Sequence, residues 1–357
     1  MKPVIAITTG DPFGIGPEIC LKAAALPEVL DACRPLLVGD RAHLLREARA
    51  IGVSGGAAAA ADLAALAASW PDVSVSAFAE MGSKQGDDNA IERWSDGPAY
   101  YDIADLEPRT GPRAPSAVGG RAAVKYIKQA VGLVRSGSAA AIVTAPISKS
   151  ALRLAGYSFP GHTELLADLC GADPGDVTML FVANGLKVAL LSVHEPLKEA
   201  IASLSGERIV RRLAIVHAEH ERWFGAPPRL ALAALNPHAG EEGMFGTEER
   251  EILVPAVAEA RALGVDVTGP LPADTVFVRA ARGDFDAVLA LHHDQGTIAV
   301  KTHAFGRAVN MTLGLPFART SVDHGTAWDI AGKGVADAGS LAAAILLAAR
   351  LAPHAGR

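Results

Sequence analysis

Short apolar runs of strand length recur along this chain, with amphipathic stretches of helical period between them. The runs are Val4–Thr9, Pro35–Val38, Ala139–Thr144, Val188–Val193, Leu230–Leu235 and Ala287–Leu291. Arg121–Arg135, Glu207–Glu221 and Glu248–Leu263 are the clearest helical stretches. Alternation of this kind predicts βα units, mostly parallel pairing and an α/β fold. Half of the residues are hydrophobic but only 5% are aromatic, so Ala, Val, Leu and Ile must build the core. Such a core suits helices packed on a buried parallel sheet. A length of 357 residues allows two domains.

Several function classes are disfavoured at once. The net charge is −6 and no cluster of Lys and Arg is present, which makes a poor nucleic-acid binder. Cys20, Cys33 and Cys170 match no zinc spacing, and an odd count argues against a disulfide framework. A reducing, cytoplasmic compartment is expected. Gly10-Asp11-Pro12 interrupts the first apolar run before a signal segment could form, and no apolar stretch reaches membrane-span length. Ala57–Ala68 reads as a surface helix entered from Gly55-Gly56. Lys84–Ser116 lacks periodicity and reads as an irregular connection.

The apolar runs end in reactive residues. Ala139–Thr144 leads into Pro146-Ile147-Ser148-Lys149, and Val188–Val193 ends at His194. Leu230–Leu235 ends at Asn236-Pro237-His238, and Ala287–Leu291 at His292-His293-Asp294. Ligands bind outside the carboxyl ends of strands in open α/β sheets. Histidines gathered there suit a divalent cation such as Zn, Co, Ni or Mn. A single histidine at a strand end is more often an ordinary polar residue, so the weight rests on the repetition. His217, His220, His43 and His354 read as surface residues.

Other signals are weaker one by one. Thr9–Glu18 follows a strand and opens a helix, but its glycine spacing fits neither a dinucleotide fingerprint nor a phosphate loop. Taken alone it is a tight turn with Pro17 in the first helical turn. In Gly161-His162-Thr163-Glu164, His162 and Thr163 stand side by side on a Gly-led turn and can donate to phosphate or carboxylate oxygens. Lys301, Asn310 and Arg319 stand nine apart in a mostly apolar stretch, and Arg is the natural bidentate partner of such anions. Ser321–Gly334 is rich in glycine around His324 and Asp329, so its backbone can approach a planar ligand closely.

Taken in order, these motifs make the chain resemble the 4-hydroxythreonine-4-phosphate dehydrogenase family of vitamin B6 biosynthesis. The resemblance spans nearly the whole chain. It is carried by Gly10-Asp11-Pro12, Gly14-Ile15-Gly16-Pro17-Glu18, Gly161-His162-Thr163-Glu164 and Leu235-Asn236-Pro237-His238-Ala239-Gly240-Glu241. Phe245-Gly246-Thr247-Glu248-Glu249, Gly269–Thr275, His293-Asp294-Gln295-Gly296 and Gly314–Ser321 complete it. It implies an isocitrate/isopropylmalate dehydrogenase-like fold, two α/β domains with a cleft between them. Residues 1–130 plus 301–357 would form the cofactor side, and 131–300 the metal, substrate and dimerisation domain. It also implies a homodimer whose active site lies at the subunit interface.

By the same resemblance, His194, His238 and His293 are ligands of a divalent metal (Zn, Mg, Co or Mn) shared across the dimer. His162, Thr163, Lys301, Asn310 and Arg319 match substrate-contacting positions. His324, Gly325, Asp329 and Gly332 belong to a loop like the adenosine-binding loop of the wider group, with NAD or NADP as cofactor. Asp274, Asp294 and Lys301 are all candidates for the catalytic base, and the sequence does not choose among them. The implied reaction is oxidation of 4-phosphohydroxy-L-threonine followed by decarboxylation to 3-amino-2-oxopropyl phosphate. Relatives acting on 4-phospho-D-threonate or 4-phospho-D-erythronate are the nearest alternative. A cis-dihydrodiol dicarboxylate dehydrogenase fits less well, because the Gly161–Glu164 motif is intact and suits a phosphate. Phosphate acyltransferases share the fold but need no three-histidine metal site, and a non-catalytic phosphometabolite binder would survive loss of His194. The chain departs from the family at Phe13, where Ala is usual, around Lys301, and across Lys84–Ser116.

Overall fold

The computed structural model describes residues 2–54, 59–73, 94, 97–106, 112–304 and 306–354. The chain divides into two compact units. Met1–Gly171 and Phe317–Ala355 form the first, and Ala172–Pro316 forms the second. The division falls downstream of the boundaries expected near 130 and 301. Strand pairing explains why, since the strand at Ala141–Thr144 is built into the first sheet on both of its edges.

The first unit holds β1 (Val4–Thr8), β2 (Arg34–Gly39), β3 (Ala99–Asp102), β4 (Ala141–Thr144) and β11 (Ala318–Ser321). Their order is β3-β2-β1-β4-β11, and every pairing is parallel. β1, β4 and β11 end level with one another, Thr8 opposite Thr144 and Thr144 opposite Ser321. All strands but the end of β3 are buried on nearly every residue, as a parallel sheet covered by helices requires. The helix Ala117–Arg135 packs on β1, β2 and β4, and Gly339–Leu351 packs on β11, β4 and β1. Ser116 caps the former by accepting from the Gly119 N–H at 3.0 Å. β3 corrects the expectation of irregular chain across Lys84–Ser116, much of which lies outside the described residues. Tyr100 and Tyr101 supply its β propensity and are buried. The predicted surface helix appears as Ala59–Ser69, while Gly55-Gly56 lies outside the described residues.

The second unit holds β5 (Thr178–Ala183), β6 (Leu186–Leu190), β7 (Leu230–Ala233), β8 (Val267–Leu271), β9 (Ala287–Ala290) and β10 (Val309–Leu313). Their order is β10-β5-β6-β9-β7-β8. The expectation of mostly parallel pairing fails on one side of this sheet. β10 and β5, and β5 and β6, run antiparallel. The cause is a two-residue hairpin turn, Asn184-Gly185, with φ of 45° and 91°. Consecutive positive φ values are what a turn matched to strand twist needs, and Asn-Gly meets them at low cost.

The helix Gly206–Phe224 buries Ile209, Val210, Leu213, Val216, His220 and Trp223 along one face. Ser205 caps its start and Gly225, at φ 82°, ends it. His220 is therefore not the surface residue expected. It is buried, with Nδ1 3.1 Å from the Ala226 carbonyl. His43 is buried as well, its Nε2 2.6 Å from the Pro12 carbonyl. Among the described residues no helix is long and apolar enough to cross a membrane.

Two substitutions separate core from surface in the second unit. Trp223 is 1% exposed, and Trp223→Ala should cost about 3–5 kcal/mol in urea unfolding. Arg211 pairs with Asp176 at 2.7 Å while both side chains remain about half exposed, and Arg211→Ala should leave the urea midpoint close to that of wild type.

Candidate active site

In the first unit, the level ends of β1, β4 and β11 gather an anion cradle. Arg319 lies in β11 and is 1% exposed. Its Nη2 donates to Thr144 Oγ1 at 2.6 Å. Burial pushes the guanidinium down to about 9, against the pull of the Glu164 carboxylate. Arg319 therefore stays charged at neutral pH in a place where an unbalanced charge is costly. His162 opens the helix His162–Cys170, whose N-cap Gly161 offers no side-chain acceptor. Loss of water first, and Arg319 second, hold the imidazole well below its ordinary pKa, opposed by a hydrogen bond to the Ala145 backbone. Its Nε2 is buried with no hydrogen-bond partner. A neutral imidazole, a buried cation and the first N–H groups of a helix together favour a phosphate or carboxylate. Thr163 sits in the same helical turn. In the sequence Thr144 carries no role, since its place beside Arg319 shows only once β4 and β11 are aligned, and Glu164 was legible only as part of a motif.

His324, Gly325, Asp329 and Gly332 follow β11 on a segment without helix or strand. His324, Gly325 and Asp329 are exposed. Gly332 lies against the Arg113 guanidinium, and at φ 75° a side chain there would be strained and would have to push that group aside. Arg113 is in turn held by both oxygens of Glu47, at 2.7 and 2.8 Å.

In the first unit's opening turn, Asp11 is buried at 1% exposure and accepts from the Phe13 N–H at 3.0 Å. Its other oxygen has no partner. Burial pushes its pKa up to about 6.

The second unit carries the histidines. His194 follows β6, and His293 opens the helix His293–Ala304. Their ring centroids lie 5.8 Å apart with the planes at 39°. His293 Nδ1 is 2.7 Å from Asp294 Oδ1, which leaves Nε2 to face a ligand. Asp294 is held below the usual carboxylate range, chiefly by that hydrogen bond. Gln295 fixes the start of this helix, accepting from the Leu291 N–H and donating to the Ala234 carbonyl, both at 2.7 Å. Paired imidazoles backed by a carboxylate fit a borderline divalent metal. His238 stands outside the pair. Among the described residues of the one chain, no three His, Cys, Asp or Glu side chains group closely enough to hold a metal ion.

His238 rides on an unusual backbone. His238, Ala239, Gly240, Glu241 and Glu242 all have left-handed dihedrals, with φ between 42° and 82°. For residues other than glycine such a run is strained. Glu249 steadies the approach to it. This buried carboxylate accepts from the backbone N–H groups of Leu235 and Asn236 at 2.9 and 2.7 Å, and from Asn236 Nδ2 at 2.8 Å. Glu249 was legible only as part of a motif, without a role.

Asp274 is exposed in the first turn of Ala273–Ala281 and shares with Asp294 a groove of about 680 Å³, whose apolar wall includes Phe277, Val278 and Ile298. Lys301 is exposed further along the helix from His293. Asn310 is half-buried in β10, and its Oδ1 is buried with no hydrogen-bond partner.

Comparison with known proteins gives this arrangement a lineage. Residues 31–348 match the family described as pyridoxal phosphate biosynthetic protein PdxA. The chain belongs to the PdxA family. A 4-hydroxythreonine-4-phosphate dehydrogenase of Geobacter metallireducens is 44% identical over 98% of this chain and 96% of its own length. A D-threonate 4-phosphate dehydrogenase of Cupriavidus necator is 43% identical over 98% of this chain and 97% of its own. The crystal structure of a 4-hydroxythreonine-4-phosphate dehydrogenase from Klebsiella pneumoniae superimposes with a TM-score of 0.80 at 38% identity, covering 98% and 99% of the two chains. The α/β class expected from the sequence thus holds, and so does the expectation of an oxidoreductase of the PdxA kind.

Two features yield stability predictions. Unfolded, Asp11 titrates near 3.8, so between 3.8 and about 6 the folded chain holds the extra proton and loses stability as pH rises. Asp11→Asn should therefore be more stable than wild type by about 3 kcal/mol at pH 8, and the gain should vanish near pH 4. Glu249→Ala strands the Leu235 and Asn236 N–H groups and should cost about 3 kcal/mol. Denaturant midpoints across a pH series measure both.

Proposed function

We propose that this PdxA-family chain oxidises the secondary alcohol of 4-phosphohydroxy-L-threonine with NAD or NADP, and that the resulting 3-keto acid loses its carboxylate to give 3-amino-2-oxopropyl phosphate. The buried Arg319 beside neutral His162 carries the reading, because a desolvated guanidinium at a helix N-terminus asks for a small, highly charged ligand such as a phosphate monoester. Thr163 adds a hydroxyl to the same end. Asn310 and Lys301 serve the remaining polar groups of the substrate, and the unpaired Asn310 oxygen supports that role.

His194, His238 and His293 are assigned to one divalent ion (Zn, Mg, Co or Mn), with the set shared between two copies of the chain. Held there, the ion would supply Lewis-acid polarisation of a substrate oxygen, and a bound nicotinamide would supply the hydride acceptor. Asp294 orients the His293 imidazole. Asp274, Asp294 and Lys301 are the groups placed to take the alcohol proton. The segment with His324, Gly325, Asp329 and Gly332 takes the adenosine end of the nucleotide. A homodimer is part of the reading, supported by Ile298 and Val278, which stand 64% and 50% exposed on the groove shared by Asp274 and Asp294. A cytoplasmic setting agrees with Cys20, Cys33 and Cys170 as free thiols.

A second reading has a specific basis. The Cupriavidus necator relative is nearly as similar as the Geobacter metallireducens one, and the same phosphate cradle suits 4-phospho-D-threonate or 4-phospho-D-erythronate.

Purified protein with NAD or NADP, a divalent ion and each 4-phosphate, followed at the reduced-nicotinamide absorbance, separates them. Turnover with the threonine derivative supports the first reading; turnover with the sugar-acid phosphates alone replaces it with the second. Chelation should remove activity and re-addition of the ion restore it. Asp294→Asn should weaken metal binding by about 10- to 100-fold in calorimetry.

A further inference from the structure

We infer that Glu18 and Lys22 are positioning residues for the nucleotide segment that follows β11. The turn Thr9–Glu18, read from sequence as no more than a tight entry into a helix, meets that segment more than three hundred residues later in the chain. Glu18 is 1% exposed. Its Oε1 accepts from the Ala336 N–H at 2.8 Å, and its Oε2 from the Gly334 N–H at 3.3 Å. Lys22, one helical turn on, donates to the Gly334 and Ala336 carbonyls, both at 2.9 Å, and to Glu18 Oε1 at 2.8 Å.

Every donor of the ammonium is therefore used, three N–H bonds for three acceptors. Both oxygens of the carboxylate are used as well. The pair holds the N–H and the C=O of two alternate residues, as a neighbouring strand would, although this part of the chain belongs to no sheet. Further toward β11, the Ile15 N–H donates to the Thr326 carbonyl at 2.9 Å. Arg113, locked on Glu47, lies against Gly332 between these anchors. A segment without helix or strand is thus pinned at Thr326, Gly334 and Ala336, with Arg113 packed beside Gly332, and His324 and Asp329 stay exposed on it.

A loop that must order itself when a ligand arrives lowers apparent affinity by the fraction of time it spends in the right shape. The clamp removes that penalty beforehand. It acts on where the nucleotide contacts stand, and it touches neither the metal histidines nor the anion cradle. The inference rests on the assignment of residues 324–334 to the nucleotide.

The test uses the full-length protein and reduced nicotinamide nucleotide, with binding read by fluorescence. Lys22→Met should raise the dissociation constant about tenfold, as expected when the competent fraction of the loop falls to about a tenth. KM for the nucleotide should rise while kcat at saturation and affinity for the divalent ion alone stay as in wild type. Lys22→Arg should recover part of the loss. Amide exchange in the nucleotide-free protein should speed up at Gly334 and Ala336 in Lys22→Met, which reports on the clamp without any ligand. Lys22 is the first choice because it is partly exposed, with Glu18→Gln as a second variant that keeps an acceptor. Unchanged nucleotide affinity in a folded Lys22→Met protein overturns the inference. A wild-type protein that binds the nucleotide without protecting the amides of residues 324–334 overturns the loop assignment instead.

Discussion

A guanidinium almost wholly removed from water is the constraint around which the first unit is arranged. Taking a charge out of solvent costs several kcal/mol unless partners replace the lost water, and the Thr144 hydroxyl is one such partner. Burial lowers the Arg319 pKa only to about 9, with the Glu164 carboxylate opposing the shift, so the guanidinium keeps its charge at neutral pH. Its register is fixed by β4, where Arg319 stands opposite Ile142. The same desolvation that makes the cation expensive strips the proton from His162, so the cradle holds one firm charge and one neutral donor.

The second unit solves a different problem, holding exposed donors still. His194, His238 and His293 reach the surface from the ends of strands or from turns just beyond them, where little packing steadies a side chain. Order comes from behind. Asp294 grips the imidazole of His293, Gln295 ties the ends of β7 and β9 together, and Glu249 secures the backbone ahead of the left-handed turn. These supports are directional hydrogen bonds, and the one from Glu249 is buried, so they fix orientation where hydrophobic contacts would allow sliding.

Much of this was legible before any coordinates. β1, β2, β4, β6, β7 and β9 announce themselves because a strand buried on both faces must be apolar throughout. The histidines at their ends were legible because a strand end is where an α/β sheet presents its chemistry. β5 was passed over although Asn184-Gly185 marked its turn, since attention to parallel βα units hides a hairpin. β3 was lost in a stretch of Gly, Pro and Asp. His43 and His220 looked like surface residues because helical period tells which face a residue shares, but not what packs on that face. The task of Glu18 was out of reach altogether, for its partners lie 316 and 318 residues along the chain.

The threading of the first unit carries a cost during synthesis. β4 is flanked by β1 on one side and by β11 on the other, and the whole of the second unit is made between them. While the nascent chain is on the ribosome, the far edge of β4 is a bare row of amides and carbonyls on an apolar strand. Bare edges of that kind recruit strands from other molecules. The chain needs either a chaperone's cover or a quick second unit until Ala318–Ser321 emerges to close the edge.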